Sequence, residues 1–542
     1  MSDHFEFSKS PQREVFIGRS ADVFANNHQR RRSSVLTREE RKDLIKEEEE
    51  LLIDNNILTY NSFADSSALD DGSDLEEQII KTNWEQAVAQ NLIHTTYWRE
   101  LSVLLRNTLP SCLTFLLQYS LTVVSVFAVG HLGKNELSAV SLAGMIANIC
   151  GYGIFQGIAT CLDTLGAQAY GRGDYVMVGV YTQRCGLLMG LVLVPVLLLW
   201  CKAEIFLEVF VPQKECVILA ARYLKVLAIG CPGYVIFELA KHYLQAQGIF
   251  KASTYVLLFC APMNVVLNYV FVWSSTFGFG FIGAPVAVVI TDYTMALIAL
   301  MYIAYIDGYQ CWKGWSKAAL SNWNYMCQLA LSGVITVEAE WLAFEVLTFA
   351  AAHLGTTELA TQTVLATLCV LTYQVPLSMG IAASTRVGNL IGAKLPNSAA
   401  MACKTGIYVS LVFGTLNGII LFASRNSIGS LFTSDPDVIK MVAQVLPYGA
   451  MYQINDSIAA VSSGLLRGQG RQKISGIINL VAYYVFALPM GLSLAFHANW
   501  GLSGLWTGVC VALLIVSSFQ TWYVVSADWN AILDRAEKET TA

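Results

Sequence analysis

The chain has 542 residues, of which 55% are hydrophobic and only 14% charged, where soluble domains carry roughly a quarter charged residues, so an ordinary soluble enzyme is excluded. Its net charge of −6, from 34 Lys plus Arg against 40 Asp plus Glu, leaves no basic footprint for nucleic acid. The 13 Cys show neither zinc-site spacing nor the density of a disulfide scaffold; they read as small core residues, and no metal site is expected.

Residues 1–100 read as a disordered cytosolic tail, because long polar stretches with few aromatics cannot bury enough surface to offset chain entropy. No short basic segment followed at once by an apolar core opens it, so the reading contains no cleavable signal peptide. Within the tail, Arg31-Arg32-Ser33-Ser34 resembles a basic-directed kinase site, and Glu47 to Leu52 fits an acidic dileucine sorting pattern. Short patterns of this kind arise often by chance in charged tails, so a solvated charged helix from Arg38 to Ile53 is the favoured reading, with contacts to a kinase and a sorting adaptor as the alternative.

From residue 103 onward apolar runs near 20 residues long follow one another, the length that crosses a ~30 Å hydrocarbon core at 1.5 Å per residue. The reading places spans near 105–131, 137–160, 175–201, 218–246, 253–273 and 284–306, then 326–353, 360–386, 401–424, 440–468, 474–497 and 502–526. Twelve is even, so both termini lie on one side. Arg172, Lys251, Lys313, Lys317, Arg386, Lys394, Arg467, Arg471 and Lys473 fall on the loops of that side, against Lys134, Lys202, Lys214, Arg425 and Lys440 opposite. That bias predicts cytosolic termini.

A repeat organises the spans. His131-Leu132-Gly133 with Glu136-Leu137 returns 222 residues later as His353-Leu354-Gly355 with Glu358-Leu359, and Leu244 to Gly248 returns as Leu466 to Gly470. The offset then slips by one, matching Gly280 and Gly283 to Gly501 and Gly504. A six-span unit has been duplicated, and because six is even the halves share one orientation. The expected fold is an all-α integral membrane protein of twelve transmembrane helices in two parallel six-helix repeats, related by a pseudo-two-fold axis along the membrane normal. This is a transporter layout. The division reads as an N-lobe over 101–310, a C-lobe over 311–526 and a cytosolic tail over 527–542.

Ionisable residues inside spans are the functional candidates, since a carboxylate at the bilayer centre costs at least ~2.5–3.5 kcal/mol. The first span has no acid between Thr108 and Val129, its polar centre being Gln118, Tyr119 and Ser120; the seventh carries Glu338, Glu340 and Glu345; the tenth carries Asp456 beside Tyr452, Gln453 and Asn455. At 100° per residue Glu338 and Glu345 share a stripe, while Glu340 lies about 140° from Glu345, so the three do not face one cavity. Two carboxylates in a dry lobe exchange a proton or a small cation as a face hydrates, which makes an ion-coupling device. Glu238, Lys241 and His242 read as a self-satisfied structural cluster. Asp163 reads as a loop anchor, and Asp292 is open between roles. Trp341, Tyr373, Tyr452 and Tyr483 are candidates to line a cavity for flat or cationic substrates.

The residues also carry a resemblance. Cys161 to Gly171 (CLDTLGAQAYG), Gly130-His131-Leu132-Gly133, Tyr373 to Pro376 leading to Ala382 to Asn389 (AASTRVGN), and Gly464 to Gly468 (GLLRG) resemble the multidrug and toxic-compound extrusion (MATE) family, eukaryotic and fungal-like branch, over about residues 100 to 526. The resemblance implies export of organic cations, xenobiotics or metabolites in exchange for protons or sodium. The family's seventh-helix motif Glu-Trp-Trp-x-x-Glu stands here as Glu340-Trp341-Leu342-Ala343-Phe344-Glu345, and its tenth-helix acid matches Asp456. The second Trp is Leu342, the first-helix aspartate of many bacterial members is absent, and Glu338 has no family counterpart.

The sequence reading is thus a secondary active transporter, an antiporter exporting small organic molecules against protons, with Glu340, Glu345, Asp456, Tyr452, Asn455 and Trp341 as the coupling and binding residues. Glu338, Gln118, Tyr119 and Tyr373 are secondary candidates. No cofactor is expected beyond the coupling ion, proton or Na+. The partners are substrates and the bilayer, with the chain a monomer. The vacuolar membrane is favoured by Glu47 to Leu52, with the plasma membrane as alternative. Sodium coupling, a lipid flippase and a non-transporting scaffold are the other readings; an enzyme is not, since the short loops hold no catalytic constellation.

Overall fold

The computed structural model describes residues 93–541, apart from 211–212 and 275–277, together with Leu52, Asn55, Ile57, Ile80, Asn83, Gln86 and Ala87. The long helices are α1 (Tyr97–Gly130), α2 (Asn135–Gly171), α3 (Tyr175–Cys201), α4 (Lys214–Ala246), α5 (Lys251–Trp273), α6 (Gly280–Tyr305), α7 (Asn324–Leu354), α8 (Thr356–Gly392), α9 (Pro396–Ser424), α10 (Pro436–Gly468), α11 (Gln472–His497) and α12 (Leu502–Val525). A last helix, α13 (Trp529–Thr541), follows. Ten of the first twelve are long and apolar enough to cross a membrane; the other two, α7 and α10, are those that carry Glu338, Glu340, Glu345 and Asp456. No strand occurs among the described residues.

Several helices run beyond the spans read from hydropathy. Helix α1 begins at Tyr97 rather than near 105, and α2 continues to Gly171 rather than stopping near 160. Hydropathy registers only the hydrocarbon slab, whereas backbone hydrogen bonds carry a helix on into its polar ends.

The duplication is visible in the geometry. His131 and His353 each donate from Nδ1 to the carbonyl four residues back, Phe127 at 3.0 Å and Phe349 at 2.9 Å, and each packs edge-on against that Phe ring. Helices α4 and α10 end alike: the Gly248 amide bonds Gln245 O and the Ile249 amide Leu244 O, while the Gly470 amide bonds Arg467 O and the Arg471 amide Leu466 O. These ends need Gly248 and Gly470 at φ 76° and 71°, a left-handed turn that glycine adopts without steric cost. Within each half, helix one packs on five, two on three, three on four, and four on six.

The lobes meet by an exchange of contacts. Helix α1 packs on α8, and its repeat counterpart α7 packs on α2, while α2 and α8 pack on each other. Where α2 meets α8, a Cβ at Gly171 or Gly392 would run into backbone of the other helix, so small residues set this approach. The end of the bundle where α1 begins and α12 ends is called the terminal face below.

That face corrects the boundary of the N-terminal tail. The sequence reading places residues 93–100 in the tail, yet Ile93, Thr95 and Glu100 are buried. Glu100 accepts Nε of Arg386 at 2.8 Å and Nη2 at 2.5 Å, both side chains being shielded from solvent. Leu52, Ile80, Ala87 and Ile93 join Val387, Leu390, Ile391 and Ala399 in one apolar cluster, to which α13 adds Ile532. Most of the remaining tail, including Arg31 to Ser34 and Glu47 to Leu51, lies outside the described residues. Of the dileucine pattern only Leu52 is described, and it is fully buried.

Candidate functional site: an inter-lobe cavity with one acidic wall

A cavity of about 110 Å³ lies between the lobes, room for several water molecules at roughly 10–15 Å³ apiece. Its residues recur at helical spacing: Thr336, Val337, Glu340 and Trp341 on α7; Tyr373, Leu377 and Ile381 on α8; Asp456, Ala459, Ala460, Ser463 and Arg467 on α10; and Glu238, Lys241 and His242 on α4. Each helix therefore presents one stripe. Phe115 of α1, Gln156 and Thr160 of α2, Asn479 and Tyr483 of α11, and Leu513, Val516 and Gln520 of α12 complete the wall.

The C-lobe wall is acidic. Glu340 and Asp456 interact electrostatically across it, and neither forms an ion pair among the described residues. Asp456 is 2% exposed, and its Oδ2 and the buried Tyr483 hydroxyl have no hydrogen-bond partner. Two carboxylates facing one cavity without a counter-cation hold a site for positive charge, whether protons or an organic cation.

The N-lobe wall is charged but internally neutralised. Lys241 Nζ donates to Glu238 Oε1 at 2.7 Å, and Gln118 Nε2 donates to the same oxygen at 2.9 Å. The Lys241 ammonium also lies 4.8 Å from the Phe115 ring centroid, a cation–π contact. His242 donates from Nδ1 to Asp163 Oδ1 at 2.7 Å, its Nε2 standing 3.8 Å from Glu238 Oε2. From the C-lobe, Arg467 Nη1 donates to Asp163 Oδ2 at 2.8 Å. Thr164 and Gln168 donate across the same seam to the carbonyls of Arg467 and Gly468. The bonds from Asp163, Thr164 and Gln168 to Arg467 and Gly468 tie the two lobes together along the seam of α2 and α10.

Among the sequence candidates, Glu340, Trp341, Asp456 and Tyr373 line the cavity. Glu345 is half-buried and absent from the lining; it lies five residues past Glu340 and so about 140° off the stripe. Glu338 points to α2, where a Cβ on Gly153 would meet its carboxylate, and neither oxygen has a partner. Tyr452 is packed inside the C-lobe, with Phe344 and Trp506 rings at 5.9 and 5.7 Å. Asn455 bonds Met451 O and accepts Ser517 Oγ, a helix-to-helix tie. Gln118 reaches the cavity through Glu238, and Tyr119 is half-buried away from it.

The sequence reading assigns structural roles to Glu238, Lys241, His242 and Asp163. Glu238 and Lys241 do pair with each other, but Glu238 also takes Gln118 and His242 takes Asp163; three of the four form cavity wall, and Asp163, instead of anchoring a loop, joins α4 and α10. The spacing of Glu238, Lys241 and His242 showed a cluster; the partner 304 residues away in Asp163–Arg467 had no local signal.

Comparison with known proteins agrees with this architecture. The MatE family model matches residues 110–270 and 334–492, two segments in the register of the repeat. An uncharacterized transporter of Schizosaccharomyces pombe is 42% identical over 453 residues, 84% of each chain. Multidrug and toxin extrusion protein 1 of Homo sapiens is 31% identical over 444 residues, 82% of this chain and 78% of that one. The crystal structure of the eukaryotic MATE transporter AtDTX14 superposes with a TM-score of 0.77 at 27% identity, covering 82% of this chain and 99% of that one. The chain belongs to the MatE family and is a multi-pass membrane transporter, not an enzyme.

Proposed function

We propose that this transporter exports small organic cations in exchange for protons, with Glu340 and Asp456 as the shared binding site. The observation that carries the reading is the pair of facing carboxylates without a cation partner, set opposite a wall whose own charges are already matched. Protons and a cationic substrate neutralise the same two groups, so binding of one favours release of the other. Trp341, Tyr373, Tyr483 and Phe115 offer aromatic faces for a flat cation. The name of the human relative, multidrug and toxin extrusion protein 1, supports an organic substrate.

Asp163, His242 and Arg467 tie the lobes together beside the cavity; the loop cations favour the terminal face as cytosolic. One chain contains both lobes and the whole cavity, which supports a monomer as the working unit. We place it in the vacuolar membrane, with the plasma membrane as alternative.

The test is uptake of a fluorescent organic cation into proteoliposomes under an imposed pH gradient in sodium-free buffer, with wild type beside Glu340→Gln and Asp456→Asn. Gradient-driven flux lost in both variants supports the reading. Flux that follows sodium and ignores pH replaces the coupling ion, and no flux under either gradient overturns antiport.

A further inference from the structure

The N-lobe also holds a buried carboxyl without a counter-charge. Asp292 of α6 is 3% exposed, and its Oδ2 has no hydrogen-bond partner. The titratable groups that face it are Tyr152 from α2, Tyr223, Cys231 and Tyr234 from α4, and Cys260 from α5. Phenols and thiols form this nest, and no cation is among them. It lacks the multiple carboxylate and carbonyl oxygens that a hard metal ion takes, so its fitting occupant is a proton.

The nest is tied to the transport cavity. Gln156, which lines that cavity, donates from Nε2 to the Tyr234 hydroxyl at 2.9 Å, so the phenol that interacts with Asp292 lies one residue from the cavity. The Tyr152 and Tyr234 rings pack at 4.3 Å between centroids, and Tyr152 sits at the end of the π-helical turn Asn148–Tyr152 within α2. The repeat makes the placement pointed. Tyr234 on α4 corresponds to Asp456 on α10 at the 222-residue offset, and after the slip of one Asp292 on α6 corresponds to Leu513 on α12, which lines the cavity with Asp456. Asp292 and Asp456 thus sit on corresponding pairs of packed helices, carried by opposite members of the pair, with Glu238 a further buried carboxylate on α4.

We infer that Asp292 is a second proton-binding site of this transporter, in the N-lobe, exchanging protons with the inter-lobe cavity by way of the Tyr234 hydroxyl. The inference deepens the proton-antiport reading and rests on it for its use, although proton binding at Asp292 is measurable without transport.

The test counts protons taken up by the purified full-length protein in detergent when the buffer passes from mildly alkaline to mildly acidic, using a pH-indicator dye. Asp292→Asn, a near-isostere, should bind one proton fewer than wild type, and Asp292→Glu should restore the count. Tyr234→Phe keeps the carboxyl and removes the relay hydroxyl, so it should leave the count unchanged and slow the uptake several-fold. An unchanged count in folded Asp292→Asn overturns the inference. If that variant does not fold, Tyr234→Phe with wild-type uptake kinetics overturns it instead. The C-lobe reading is judged separately by Glu340→Gln and Asp456→Asn in the flux assay, so either can fail alone.

Discussion

Arg467 of the C-lobe reaches across the bundle to Asp163 of the N-lobe, Nη1 to Oδ2 at 2.8 Å, and shares that carboxylate with His242. The Asp163 side chain is fully buried and that of Arg467 is 14% exposed, so removing one partner strands a charge where water is scarce, a loss of order 3–5 kcal/mol for a buried pair. Asp163→Asn should therefore open the terminal face. A cysteine placed at Ser463, on the cavity wall, should react with an impermeant thiol reagent from that face at least tenfold faster in Asp163→Asn than in the parent. Equal labelling would show that backbone packing alone closes the seam.

The second prediction separates the three acids of α7. Glu340→Gln should abolish pH-driven flux, because it removes half of the acidic wall. Glu345→Gln and Glu338→Gln, whose parent side chains do not line the cavity, should retain most of it. Proteoliposome flux per molecule of folded protein is the measurement, and loss in Glu345→Gln alone would reassign the coupling site.

Trp341 and Tyr452 lie on neighbouring helices of one lobe but should fail differently. Trp341→Ala removes an aromatic face from the cavity and should raise KM for a flat cation several-fold with little change in thermal stability. Tyr452→Ala empties a packed position between Phe344 and Trp506, which costs about 3–5 kcal/mol for an aromatic core residue. It should lower Tm markedly before it alters KM.

The Glu100–Arg386 pair offers a fourth check. Glu100→Gln leaves the Arg386 guanidinium buried without its carboxylate, and the expected loss is again a few kcal/mol. Replacing both by apolar residues of similar size should recover much of it. Thermal unfolding of the single and double variants in detergent tests this, and additive losses would mean that the two sites do not interact.

Much of this architecture was legible in the amino-acid order. Apolar runs located all twelve long helices, although α7 and α10 are less apolar than the other ten, and the His131/His353 and Gly248/Gly470 correspondences announced the duplication. Both motifs build local geometry, a ring-to-carbonyl bond and a helix stop, so their causes lie within a few residues. The acids were identified by their cost in lipid, and the 100° rule separated Glu340 from Glu345 without telling which faced the cavity. That choice depends on how α7 is rotated against α2 and α11, a tertiary quantity. The bond between Asp163 and Arg467 was invisible for the same reason, as was the insertion of Leu52 and Ile80 beneath the C-lobe.

The buried bond from Glu100 to Arg386 also dictates an order in time. The two residues are 286 positions apart, and at ~5–20 residues per second a ribosome needs roughly 15–60 s to travel between them. Through that interval the start of the first helix emerges with its carboxylate unmatched, and only synthesis of the eighth helix supplies the guanidinium. The first half of the molecule can enter the bilayer early, but its opening turn waits on the second half to be seated.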